Sequence, residues 1–185
     1  MAITYAALLR GINVSGHNKV PMAELRALLT ELGHQNVRTH LNSGNAVFSS
    51  ESTDQDELAA GLEKAIQNHF GFSVPCLVRD GRYLRAVAEA CPFPAAELAG
   101  KQLHVTYFSG PVDLGRFAAI DPEAYLPEEF RLGDRALYLY APDGLGRSKL
   151  AEVLNRPAVN RGITGTSRNW NTVVKLVEMT GVSAG

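Results

Sequence analysis

The sequence predicts an α+β chain made of two βαββαβ halves, and three observations carry that prediction. Short β-branched runs with a period of two alternate along the chain with longer runs whose apolar residues recur every three or four positions. Gly-, Pro- and Asn-rich stretches punctuate the chain where one kind of run gives way to the other. The same order of elements then occurs twice. The chain has 185 residues, 45% hydrophobic and 20% charged, which is ordinary globular usage and enough for one good-sized domain or two small units sharing a core.

In the first half, Ile3 to Leu9 reads as a buried strand and Gly11 to Val20 as a loop without periodicity. Pro21 opens a helix at its first position, where a missing N–H costs little. Met22, Leu25, Leu28, Leu29 and Leu32 form its stripe, and Gly33 stops it. Asn36 to Leu41 alternates Val37, Thr39 and Leu41 on one face, Asn42 to Asn45 turns the chain, and Ala46 to Ser49 returns. Thr53 or Asp54 caps a second helix with the stripe Leu58, Leu62, Ile66 and Phe70, ended by Gly71. Val74 to Val78 is a fourth strand, which completes the split βαβ order of ferredoxin-like folds.

Arg82 to Cys91 predicts a connecting helix, broken by Pro92-Phe93-Pro94. Leu103 to Phe108 is a strand, Val112 to Ile120 a short helix behind Pro111, and Glu129 to Leu132 with Ala136 to Tyr140 a hairpin around Gly133-Asp134. Ser148 to Leu154 is a helix, Ile163 to Thr166 a last strand, and about Asn169 to Met179 a C-terminal helix. The expected organisation is therefore a duplication of two ferredoxin-like halves, 1–80 and 102–185, joined by a helix and linker over 81–101. The halves share element order and little residue identity, so the duplication is one of fold. Each sheet has one helix-covered face, leaving the other faces either solvated or packed together.

Composition excludes several functions. Formal net charge is −1, whereas a general nucleic-acid binder carries a large positive excess. The N-terminal run passes straight into a strand without a leader signature, and no apolar run reaches the roughly 20 residues that span a bilayer. Cys76 and Cys91 are the only cysteines, and the five His stand at 17, 34, 40, 69 and 104 without metal spacing. The expectation is a cytoplasmic protein with buried structural thiols, no metal and no cofactor. No GxSxG, HExxH, paired-cysteine motif or complete P-loop occurs, so the sequence names no nucleophile or general base. The acidic cluster Asp54 to Glu57 sits at a helix start, where the helix dipole favours acids.

Three segments stand out. In the loop from Arg10 to Lys19 no acid occurs before Glu24, so Arg10 and Lys19 are unopposed beside Asn13. It joins a strand end to a helix start, where backbone N–H groups hold anions. Ser43-Gly44-Asn45 is a turn that offers a hydroxyl and an amide. Thr164 to Thr172 contains Trp170, the single Trp, which is expected to anchor a core. Arg168, Asn169 and Asn171 there offer a guanidinium fork and two amides at a helix start, and Lys175 lies one turn beyond Asn171. Asp143 to Lys149 is another glycine-rich approach to a helix, with Arg147 and Lys149 as its basic residues, without the order an NTPase needs. From Gly144 to Lys175 six basic residues stand against the single acid Glu152, a local excess that suits an anion-facing surface.

Leu8 to Val14, Ser43-Gly44-Asn45 and Thr166 to Thr172 together resemble the bacterial domain-of-unknown-function family 1697, with Ser167 where a second Thr is expected. The resemblance covers nearly the whole chain. It implies a duplication of ferredoxin-like α+β halves and brings no activity or catalytic residue with it.

The leading functional expectation is binding of a small phosphate-bearing or otherwise anionic ligand, such as a nucleotide or RNA end. Its candidate residues are Arg10, Asn13, Lys19, Ser43, Asn45, Lys149, Arg168, Asn169, Asn171 and Lys175, converging near a cleft between the halves. The competing expectation is a structural or protein-interaction module, a sheet-mediated homodimer in which the motifs are caps and turns. A third, single-stranded nucleic-acid binding on a sheet, needs exposed aromatics; Tyr138 and Tyr140 share a face, with Tyr107 as a further candidate. Whether the protein is an enzyme stays open at this stage.

Overall fold

The structure, a computed structural model, describes residues 1–42 and 44–181. It is an α+β chain with two four-stranded antiparallel sheets and several helices. The chain divides into two compact units, Met1–Arg85 with the stretch from Leu176, and Ala86–Lys175. Among the described residues no helix is long and apolar enough to cross a membrane.

Unit 1 contains β1 (Ile3–Leu9), α1 (Met22–Glu31), β2 (Gln35–His40), β3 (Asn45–Ser50), α2 (Gln55–Phe70) and β4 (Cys76–Asp80). Its strands lie in the order β2-β3-β1-β4. Alternation along β1 sends Tyr5, Ala7 and Leu9 to one face, where they meet Phe48, Ala46, Cys76 and Val78 in register. Leu25, Leu28 and Leu29 of α1 and Leu58, Leu62 and Ile66 of α2 close that core. Asp54 caps α2 by accepting from the N–H groups of Asp56 and Glu57, and Gly71 ends it at φ +82°.

Several boundaries differ from expectation. Pro21 is the N-cap rather than the first helical residue, and its carbonyl accepts from the N–H groups of Glu24 and Leu25. Leu32 lies outside α1 and is exposed. Leu41 does not extend β2; it enters the turn at φ +60°, and its side chain is exposed. The register of β2 against β3 shifts between Gln35 and Arg38, with Asn36 at φ +53°, which upsets the simple alternation of that strand. The fourth strand starts two residues later than expected and runs to Asp80.

α3 (Gly81–Glu89) follows β4 directly. Unit 2 contains β5 (Leu103–Phe108), β6 (Glu129–Gly133), β7 (Ala136–Tyr140), α4 (Lys149–Leu154), α5 (Pro157–Asn160) and β8 (Gly165–Asn169), and α6 (Trp170–Thr180) is the last helix among the described residues. Its strands lie in the order β6-β7-β5-β8, the same arrangement as in unit 1. Phe108, Leu137 and Leu139 pack with Leu150, Leu154, Val159 and Phe117.

The helix expected over 112–120 is replaced by one short 3₁₀ turn, Leu114–Phe117, and a second, Pro122–Tyr125, follows it, each started by an aspartate side chain, Asp113 and Asp121. Gly115 and Pro122 interrupt any longer helix, and each Asp cap begins a new turn. The last strand is later than expected and takes in Arg168 and Asn169, because its inward positions are polar and carry no apolar alternation. Trp170 is only half-buried and is not a core anchor.

Both sheets are buried on the face away from these cores as well. Ala6, Leu8, Val47 and Leu77 in unit 1, and Leu103, Val105, Tyr107 and Tyr138 in unit 2, are all buried. Tyr107 and Tyr138 therefore offer no exposed stacking platform. Cys76 and Cys91 are free thiols; Cys76 is buried, which pushes its pKa up, and Cys91 is half-buried.

Burial also lowers the pKa of two histidines. His104 lies on β5 opposite Leu139 and Asn169, and its Nδ1 has no hydrogen-bond partner among the described residues. His34 stacks on Phe48 at 4.4 Å between ring centroids. A histidine with a depressed folded pKa binds fewer protons folded than unfolded, so its contribution to stability is complete above the unfolded value, about 6.5, and declines as pH falls below it. Thermal melts from pH 8 to 5 are expected to show a flat midpoint down to about pH 7 and a decline of a few degrees below about 6.5. His104→Leu is expected to flatten that decline.

Candidate functional site

The loop between β1 and α1 is built on positive φ angles at Gly11, Asn13, Ser15, Gly16 and Asn18. Gly and Asn adopt that conformation at least cost, which explains the loop's composition. Asn13 organises it. Its Nδ2 donates to the Val20 carbonyl at 3.0 Å and to the Asn42 carbonyl at 2.6 Å, while its Oδ1 accepts from the Val20 N–H at 2.9 Å.

The Asn13–Asn42 bond ties this loop to the β2–β3 turn, two motifs that lie far apart in sequence. Gly44 strengthens the join: its carbonyl accepts from the Leu9 N–H at 2.9 Å. A Cβ on Gly44 would stand 2.9 Å from the Leu9 Cβ and 3.0 Å from the Ile12 Cδ1, so only glycine permits the approach. Asn45 is fully buried and donates to the His40 carbonyl at 3.0 Å, closing the turn from below. Ser43, the remaining candidate of this motif, lies outside the described residues.

The joined loops enclose a pocket of about 370 Å³ lined by Asn13, Gly16, Lys19, Val20, Pro21 and Asn42. Its lining includes one cation and no acid. Among the described residues Lys19 and Arg10 make no ion pair, and both are exposed. The pocket opens at the start of α1, whose first N–H groups have no acceptor within the helix.

The C-terminal motif is built differently. Arg168 is buried on β8, and its Nη1 donates to Thr166 Oγ1 at 2.7 Å and to the Ser167 carbonyl at 2.8 Å. Loss of water lowers its pKa to about 10, opposed by the nearby Tyr107. Asn169 accepts from the Thr172 N–H at 3.0 Å and so caps α6. Unit 1 repeats this arrangement. Arg79 is buried on β4, donates from Nη1 to the Val78 carbonyl at 2.8 Å, and precedes Asp80, which accepts from the Tyr83 N–H at 2.7 Å. The register makes the two equivalent: Arg79 on the edge strand β4 pairs with Ala6 on β1, and Arg168 on the edge strand β8 pairs with Val105 on β5, the strand in the matching place of its sheet.

Of the other candidates in unit 2, Lys149 is exposed at the first position of α4, behind the Ser148 cap. Asn171 is exposed, and its amide fills the space that a Cβ on Gly100 would need. Lys175 is half-buried on α6. The expected candidates thus fall into a cluster in unit 1 (Arg10, Asn13, Lys19, Asn45) and a set in unit 2 (Lys149, Arg168, Asn169, Asn171, Lys175). Among the described residues no group of His, Cys, Asp or Glu is arranged to hold a metal.

The family model described as Protein of unknown function (DUF1697) matches residues 2–138. The chain belongs to this family. The DUF1697 match spans the two motifs of unit 1 and stops short of the Arg168 motif. The chain is also similar to the conserved bacterial protein SP0830 from Streptococcus pneumoniae, whose solved structure superposes with a TM-score of 0.77 at 28% identity, covering 98% of this chain and 100% of that one. No curated protein matches it.

Sequence reading missed Asn42 as a lining residue, and it missed the repeat of Arg-Asx at the ends of β4 and β8. The signal for the repeat was present, since Arg79-Asp80 and Arg168-Asn169 each close a strand directly before a helix. Asp80→Ala and Asn169→Ala are each expected to lose about 1 kcal/mol of stability in urea titrations, the ordinary cost of an N-cap. Gly44→Ala is expected to cost more, roughly 2–3 kcal/mol, because it adds a clash to an unfavourable φ. Gly33→Ala is the control: its φ is +91°, with no atom within 4 Å of the added Cβ, so its loss should stay near 1 kcal/mol.

Proposed function

We propose that the unit 1 pocket binds a phosphate-bearing or otherwise anionic small ligand. The observation that carries this reading is the convergence of the Arg10–Lys19 loop and the Asn42–Asn45 turn on a pocket that contains a lysine and no carboxylate. Its volume of about 370 Å³ suits a small molecule. In this reading Lys19 supplies the charge, Arg10 adds to the positive field, and the early N–H groups of α1 donate to the anion. Asn13 and Asn45 hold the loops in place. Ligand contact by Ser43 belongs to the same proposal.

Arg168 supports a second reading for the C-terminal motif, as architecture. A guanidinium folded back on its own strand, followed by an Asn spent on a cap, fits a support better than a binding surface. The matching Arg79-Asp80 pair favours this, and together with the shared strand order it supports descent of both units from one ferredoxin-like ancestor. A cytoplasmic setting accords with the two free thiols.

The test is a titration of the full chain at low salt with inorganic phosphate, mononucleotides and short RNA, followed by amide NMR shifts of residues 10–20. A saturable shift is expected, weakened at least about fivefold by Lys19→Gln, which is about 1 kcal/mol, and weakened further by added salt. Arg168→Ala is expected to lower the melting temperature and leave this binding in place. An unchanged spectrum with every ligand would exclude the site.

A further inference from the structure

Two exposed apolar residues, each next in sequence to a residue that lines the pocket, are unexplained by a site for a bare anion. Val14 is 59% exposed and Leu41 58% exposed. Each adjoins a lining residue, Val14 following Asn13 and Leu41 preceding Asn42, and the 2.6 Å bond from Asn13 to the Asn42 carbonyl holds the two segments together. Leu41 gains little from the fold. Its φ of +60° is one that Asn or Gly adopts far more readily, and its exposure forgoes any reward from core packing. An apolar side chain held in an unfavourable backbone conformation and presented to water is explained by contact with something outside the fold.

The lining narrows what that partner is. Asn13, Lys19 and Asn42 bring a cation and polar groups to a lining that also holds Val20 and Pro21; an acyl chain would leave those polar groups without partners, whereas a base edge or a ribose hydroxyl can bond to them. An anion, a hydrogen-bonding middle and a flat apolar face describe one ligand class. We propose that the pocket takes a nucleotide, free or as the terminal residue of a single strand, with its phosphate at Lys19 and its base against Val14 and Leu41. This rests on the anion-binding reading above and adds the base-contacting rim.

The experiment compares inorganic phosphate, the four ribonucleoside monophosphates and a five-nucleotide RNA with and without a 5′ phosphate, using calorimetry on the full chain and on Leu41→Asn and Lys19→Gln. Leu41→Asn suits the backbone better than the native residue, so its melting temperature should hold or rise. At least one mononucleotide is expected to bind about tenfold tighter than phosphate, the increment of one base contact. Leu41→Asn should abolish that increment and leave phosphate affinity unchanged, while Lys19→Gln should weaken both. Tighter binding by the 5′-phosphorylated RNA than by any mononucleotide assigns the strand end as the ligand, and the reverse assigns the free nucleotide. Phosphate binding that matches every nucleotide and RNA, or an increment that survives in Leu41→Asn, overturns the proposal and leaves the anion site standing. Absence of any binding overturns both.

Discussion

Each sheet in this protein is buried on both faces, and that constraint decides what its polar side chains do. A guanidinium in such a place cannot reach water, and burying one without partners is costly. Arg79 and Arg168 meet the constraint in the same way, by turning Nη1 back to the carbonyl of the preceding residue on their own strand. For Arg168 the Thr166 hydroxyl adds a second acceptor. The next residue then spends its side chain on the helix that follows, Asp80 on Tyr83 and Asn169 on Thr172. Strand, buried cation and helix start form a single device, used once in each unit.

The same economy accounts for the placement of the proposed anion site on loops. Sheet faces closed to water leave the strand ends as the places where a charged group can meet a ligand. In unit 1 the loop after β1 and the turn before β3 come together because β1 and β3 are neighbours in register, with Leu8 opposite Asn45. The sheet thereby delivers Asn13 to Asn42 and Leu9 to Gly44. The cations remain outside this web of bonds, held near it and left available.

Much of the fold was legible because its elements announce themselves chemically. β1 and β5 were bounded correctly, since their apolar runs end at Arg10-Gly11 and Ser109-Gly110. α2 was legible from Asp54 to Gly71, because one residue caps its start and the other turns left-handed at its end. The misreadings have equally local causes. β8 carries Thr166 and Arg168 inward, and a strand whose buried side chains are polar has no hydrophobic period to detect. The expected 112–120 helix shrank to one turn because Asp113 starts a turn that Gly115 keeps short, and Asp121 with Pro122 starts a separate turn beyond it. At the site, the basic and Asn-rich character of the loops was visible in the sequence. The bond between Asn13 and Asn42 was not, because it depends on strand pairing that no local pattern encodes.

The stretch from Leu176 belongs with the first 85 residues. Within that unit Arg38 donates to the Met179 carbonyl at 2.8 Å, and Gly81 has no side chain where Thr180 passes. During synthesis, residues 86–175 leave the ribosome before the stretch that completes unit 1. The unit whose sequence is read first is therefore the one finished last, and until then the half carrying the Lys19 pocket lacks one of its own pieces.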